Sequence, residues 1–139
     1  MPQKKPPAAR PPAPDLVPIA PTQQAEFRTS DGCRLHFEIW GDATPEKPTL
    51  FLLHGFCESA ETVHIQRMAK AAIEAGWRLV VPEHIGHGLS SGPRALVADF
   101  AQLVRHAVEF IRAQSAESSG PFAVCGNSMG GALAAYVGD

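Results

Sequence analysis

Three short apolar runs limit what this chain can fold into: Thr49-Leu50-Phe51-Leu52-Leu53, Arg78-Leu79-Val80-Val81 and Phe122-Ala123-Val124-Cys125. Continuous runs of this length belong to strands covered on both faces, as in a parallel sheet. Helical patterns separate them. Residues 60–75, closed by Gly76, follow the first run, and an Ala-rich helix opens after the third. Between the second and third runs, Phe100, Leu103, Val104, Ala107, Val108 and Ile111 recur at helical spacing, which predicts a helix over 96–115. Ahead of all this, residues 25–30 and 33–40 flank Asp31-Gly32. The second of these segments alternates Cys33, Leu35, Phe37 and Ile39 with Arg34, His36 and Glu38, a half-buried β-hairpin pattern. Hairpin, then β-α-β-α-β-α with short links, predicts an α/β layer fold on a mostly parallel sheet.

The composition divides the chain in two. Eight of its 13 prolines lie in the first 21 residues, where they remove backbone donors and fix φ, so residues 1–22 read as a disordered or polyproline-like tail and 23–139 as the domain. Lys4, Lys5 and Arg10 make the tail weakly basic, which leaves a targeting role open. The prolines and the absence of serine before Ser30 argue for a plain tail and a cytoplasmic protein. A net charge of −2 speaks against nucleic acid as a partner. No apolar run approaches the ~20 residues of a transmembrane segment. Cys33, Cys57 and Cys125 show neither C-x-x-C nor C-x-x-H spacing, so free thiols are expected, with no disulfide framework and no zinc site. Of the three, Cys57 in a loop is the more reactive candidate and Cys125 reads as a small core residue.

In such sheets chemistry gathers at the carboxyl ends of the strands. Here those ends carry His54-Gly55, the loop 83–94 and the loop 126–131. Gly126-Asn127-Ser128-Met129-Gly130 is a G-x-S-x-G pattern. About one random chain in twenty of this length would contain it, so its weight comes from its place between a buried strand and a helix. A sharp turn there strains the serine and exposes its Oγ, while the glycines let backbone approach. Ser128 as an ordinary helix N-cap is the competing explanation. As a nucleophile it would need two backbone donors for an oxyanion, one from Met129 at the helix start and one from the His54-Gly55-Phe56 loop.

Together with Leu52-Leu53-His54-Gly55-Phe56, the loop Pro82-Glu83-His84-Ile85-Gly86-His87-Gly88-Leu89-Ser90-Ser91-Gly92-Pro93-Arg94 and Asp99-Phe100, this elbow resembles the α/β-hydrolase superfamily. Within it the likeness is to the monoacylglycerol lipase and lysophospholipase branch, grouped with serine aminopeptidase-like (S33) domains, over roughly 25–139. The resemblance implies Ser128 as nucleophile and the Phe56 and Met129 amides as oxyanion hole. His54, Gly55, Gly126 and Gly130 would support the elbow and its facing loop. It further implies a small-molecule ester or lipid substrate, with no cofactor and no metal. Two residues depart from the pattern: Glu83 where Asp is usual, and Asn127 where His is frequent.

The triad in this fold runs Ser, Asp or Glu, then His, yet none of the eleven residues after Ser128 is a histidine. The expectation is therefore the N-terminal half of such a domain, its C-terminal half, acid, base and cap absent. A catalytically inactive half domain with a binding role is the alternative. The strand over 122–125 would be a bare edge, open to a partner or to self-association. His54 and His84 stand at strand ends whose loops lie near Ser128, and a role as substitute base competes there with a structural one. Glu83, His84 and His87 superficially form a metal cluster, but the glycine-rich loop and the lack of a fourth ligand favour solvated or backbone-bonded histidines. Gly86-His87-Gly88 does not extend to G-x-G-x-x-G, and an epoxide hydrolase or dehalogenase would need an acidic residue where Ser128 stands.

Overall fold

The three apolar runs become the parallel part of one sheet. A computed structural model describes residues 18–42 and 44–138, with β1 (Gln23–Arg28), β2 (Arg34–Trp40), β3 (Thr49–Leu53), α1 (Val63–Glu74), β4 (Arg78–Pro82), α2 (Phe100–Ala116), β5 (Phe122–Gly126) and α3 (Met129–Val137). The strands lie in the order β1-β2-β4-β3-β5. β3 pairs in parallel with β4 and with β5. The hairpin adds antiparallel pairings, β1 with β2 and β2 with β4, so the sheet is mixed.

Side-chain alternation along the strands sorts the core into two layers. Leu52, Leu79, Val81 and Trp40 face one side, where they meet Ile65, Ala69 and Ala72 near or on α1. Phe51, Val80, Phe37 and Ile39 face the other and meet Phe110 and Ile111 of α2. Phe110 is fully buried and stands edge-on to Phe27, Phe37 and Phe51 at centroid distances of 5.5, 5.0 and 6.3 Å. Leu53 joins Leu103 and Ala107 of α2 and Leu133 of α3 in a third cluster beneath the elbow.

Four expectations change. β2 is not half-buried: His36 and Glu38 are as covered as the apolar face, because loop 83–94 folds over them and the Ser90 hydroxyl accepts from the His36 N–H at 2.9 Å. α2 begins at Phe100 rather than 96, since the Asp99 carboxylate caps it by accepting from the Ala101 N–H at 2.9 Å. The run at 122–125 lies at the expected edge, as an end strand of the sheet, but it is not covered on both faces: Ala123 is exposed and Phe122 is 51% exposed. The expected tail, 1–22, falls outside the described residues as far as 17, but Ile19 within it docks on the domain. Trp40 Nε1 donates to the Ile19 carbonyl at 2.8 Å, and the Ile19 N–H donates to Gln66 Oε1 at 3.0 Å. No helix of the described residues is long and apolar enough to cross a membrane.

Candidate active site

The turn from β5 into α3 is forced tight by backbone crowding. A Cβ on Gly126 would collide with the Gly130 carbonyl, and one on Gly130 would collide with the carbonyl of Leu53 at the end of β3. Glycine at both places lets the elbow close against its neighbouring strand. Ser128 between them takes φ 54° and ψ −119°, a left-handed conformation that a side-chain-bearing residue adopts only under constraint. It stands at the N-cap position of α3, yet its hydroxyl makes no capping bond and the residue is exposed. The N-cap explanation for this serine therefore has no bond to rest on.

The facing loop comes from β3. A Cβ on Gly55 would meet the Asn127 carbonyl at 3.2 Å, so the two loops touch. The Asn127 N–H donates to the Leu53 carbonyl at 3.1 Å, tying the elbow to the strand end. Backbone bonds within these loops use the N–H groups of Glu58, Asn127, Gly130 and Gly131. The N–H groups of Phe56 and Met129 find no acceptor among the described residues. Phe56 and Met129 thus stand on touching loops, and Met129 directly follows the uncapped Ser128.

A family model described as serine aminopeptidase, S33, matches residues 44–139. The chain belongs to the S33 family. It is 29% identical to the human (Homo sapiens) monoglyceride lipase over 106 residues, covering 76% of this chain and 34% of that protein. Against the monoacylglycerol lipase of Mycolicibacterium smegmatis the identity is 29% over 108 residues, covering 77% and 38%. The chain thus spans little more than a third of the length of these curated relatives. Among solved structures, the DcsB complex with its substrate analogue superposes with a TM-score of 0.70 at 21% identity, over 80% of this chain and 38% of that one. A putative hydrolase from Agrobacterium vitis S4 gives 0.69 at 21% identity, over 83% and 44%. The fold is that of an α/β hydrolase over part of the domain.

Both departures from the S33 pattern are built in. The Glu83 carboxylate is buried and accepts from the Ala60 N–H at 3.0 Å and the Leu89 N–H at 2.9 Å, so its extra methylene is accommodated. Asn127 reaches a pair that sequence reasoning missed. Its Nδ2 donates to Glu58 Oε1 at 3.0 Å, while Glu58 Oε2 accepts from the Gly55 N–H at 2.9 Å. One carboxylate bridges the two loops. His64 Nε2 lies 2.9 Å from Glu58 Oε2 and 3.1 Å from Asn127 Nδ2, and serves one of them at a time. Burial pushes the Glu58 carboxyl upward, but the Gly55, His64 and Asn127 contacts outweigh it and hold it below its ordinary range. Glu58 and Asn127 are 69 residues apart, so no local spacing signals the contact.

Of the strand-end histidines, His54 has no nitrogen to spare for proton transfer. The His84 N–H donates to His54 Nε2 at 3.0 Å, which leaves the proton on His54 Nδ1, donated to the Gly55 carbonyl at 2.7 Å. His84 Nε2 donates to the His54 carbonyl at 2.8 Å. Burial, first of all, holds both imidazoles far below their ordinary range, to about 4 for His54 and about 3 for His84. His87 is buried too, with Nδ1 donating to the Ile85 carbonyl at 3.0 Å. Each of the three thus donates one ring N–H to a backbone carbonyl, while His87 Nε2 is buried without a partner among the described residues. Burial also raises the Cys125 thiol, whereas Cys57 is exposed at φ 60°.

Proposed function

We propose that this chain carries the nucleophile and oxyanion-hole half of a serine ester hydrolase acting on acylglycerols, lysophospholipids or similar esters. The observation that carries the reading is Ser128: exposed, uncapped, and held at φ 54° between a strand and a helix. Ser128 Oγ attacks the ester carbonyl carbon and its proton passes to a general base. The carbonyl oxygen becomes an oxyanion received by the Phe56 and Met129 amides. The alcohol leaves with a proton returned from the base, and water then releases the acid from the acyl-enzyme. Glu58 holds both oxyanion loops in register, and His54, Gly55, Gly126 and Gly130 fix their backbones. The human and mycobacterial lipases it resembles make acylglycerols the first substrates to try.

His54 is not available as the base, because both of its ring nitrogens are bonded to backbone. That observation supports a second reading, in which residues 1–139 alone bind an ester without turning it over. Without an oriented base, the oxyanion hole and binding alone leave only ~10³–10⁴ over water. A fluorophosphonate probe on the purified chain, with Ser128→Ala as control, separates the two. Stoichiometric labelling lost in Ser128→Ala supports the hydrolase reading. No labelling of a chain shown to be folded by circular dichroism overturns it in favour of the binding reading.

A further inference from the structure

The hairpin turn and α2 gather a second set of reactive side chains, at the β1 end of the sheet and away from Ser128 at the β5 end. Asp31 and Cys33 stand two positions apart between β1 and β2, and Gln102 and His106 stand one helical turn apart on α2. His106 Nε2 lies 2.9 Å from each oxygen of the Asp31 carboxylate. Gln102 Nε2 lies 3.0 Å from Asp31 Oδ2 and 4.0 Å from Cys33 Sγ. Donor atoms of Asp31, Cys33 and His106 all fall within 4.8 Å of one another. The His106 side chain is only 4% exposed, and its Nδ1 is buried without a partner. Nε2, aimed at the cluster, is the one ring atom engaged.

We propose that Asp31, Cys33 and His106 bind a divalent transition metal of the zinc class, with the Gln102 amide oxygen completing the shell after a half-turn of that amide. The donor set selects the ion: magnesium and calcium want oxygen throughout, whereas thiolate plus imidazole plus carboxylate suits zinc or cobalt. Bonds of about 2.0–2.3 Å in a tetrahedron put donors roughly 3.3–3.8 Å apart. Asp31 and His106 therefore separate by about half an ångström and Cys33 closes in. Two ligands from a hairpin turn and two from one helix face are also how small ββα zinc modules close. Coordination releases the Cys33 thiol proton to solvent and moves the imidazole proton to Nδ1. There it is a buried unpaired donor, which weakens binding by about 10- to 100-fold.

A plain Asp31–His106 hydrogen bond pinning the hairpin to α2 is the competing account, and it has no use for the thiol. Co²⁺ titrated into the reduced full-length chain decides between them. The expected result is a thiolate-to-cobalt charge-transfer band in the near ultraviolet, with visible bands of tetrahedral intensity, saturating at a single equivalent and displaced by Zn²⁺. Cys33→Ser, isosteric and checked for folding by circular dichroism, removes the charge-transfer band and weakens binding by at least about tenfold. Cys57→Ser leaves both unchanged. Zn²⁺ at about a hundred times the wild-type Kd raises the thermal midpoint of the wild type by roughly 10 °C and that of Cys33→Ser by about half as much or less. Absence of the charge-transfer band, or its persistence in Cys33→Ser, overturns the site and leaves only the pin.

Discussion

Adjacent glycines in the elbow face opposite fates on gaining a methyl group, and the contrast tests whether crowding rather than backbone freedom shapes the turn. In Gly130→Ala the new Cβ lands on the Leu53 carbonyl, 2.5 Å from its carbon and 2.6 Å from the His54 oxygen. Ordinary contacts would require the end of β3 or the start of α3 to move by roughly an ångström, an overpacking cost of about 1–3 kcal/mol. Moving Leu53 also breaks the 3.1 Å bond that its carbonyl accepts from the Asn127 N–H, worth about 0.5–1.5 kcal/mol. The total is a loss of about 2–4 kcal/mol. In Gly131→Ala the new Cβ meets only the Gly126 carbonyl oxygen at 3.3 Å, and helix propensity returns about 0.5–1 kcal/mol. That variant should match or slightly exceed the wild type. Urea unfolding followed by far-ultraviolet circular dichroism, with the m value checked for constancy, gives both differences. Gly130→Ala within about 0.5 kcal/mol of wild type, or equal loss in both variants, would refute the crowding account.

Two further outcomes follow from burial. Phe110→Ala empties the centre of the aromatic cluster on the α2 side of the sheet and should cost about 3–5 kcal/mol, measured in the same urea titration. The variant Phe110→Leu should recover most of that loss. The His54 and His84 imidazoles set an acid limit: their folded values, about 4 and about 3, lie below the unfolded value near 6.5. As pH falls through about 6.5 the unfolded chain takes up protons first, so stability is full above that point and drains away down to the folded values. Urea unfolding at pH 7 and pH 5 should show a loss of about 1–2 kcal/mol per histidine. Flat stability over that window would contradict the buried neutral cross-link.

The parts that were legible in the sequence are those set by neighbours in the chain. β3 and β4 run where Thr49-Leu50-Phe51-Leu52-Leu53 and Arg78-Leu79-Val80-Val81 put them, because turn signals bound each run tightly. The elbow was legible because its glycine spacing and its geometry are the same local fact. What failed to show depends on residues far apart in the chain. His36 and Glu38 read as a solvent face until loop 83–94, some 50 residues on, folds over them. Leu96 and Val97 extend the apolar pattern of α2, but the Asp99 cap decides where the helix starts. The Glu58–Asn127 bridge and the Asp31–His106 contact span 69 and 75 residues and leave no periodic trace.

Glu83 shows how a departure from a family pattern is absorbed, and the same geometry can be tested. Its carboxylate occupies the volume that a Cβ on Gly88 would need, so the two positions share space. Gly88→Ala alone should then displace the carboxylate from the Ala60 and Leu89 amides, on top of its strain at φ 51°. Together these amount to roughly 2–4 kcal/mol. Glu83→Asp alone shortens the reach by one methylene and stretches both bonds. Combined with Gly88→Ala, it withdraws the carboxylate from the new methyl group, leaving the φ penalty of about 1–2 kcal/mol and the already stretched bonds but no further displacement. The double variant should be more stable than the sum of the single losses by at least about 1 kcal/mol in a double-mutant cycle. Additivity within about 0.5 kcal/mol would mean that the two positions do not share space, and that Glu83 is tolerated for some reason other than Gly88.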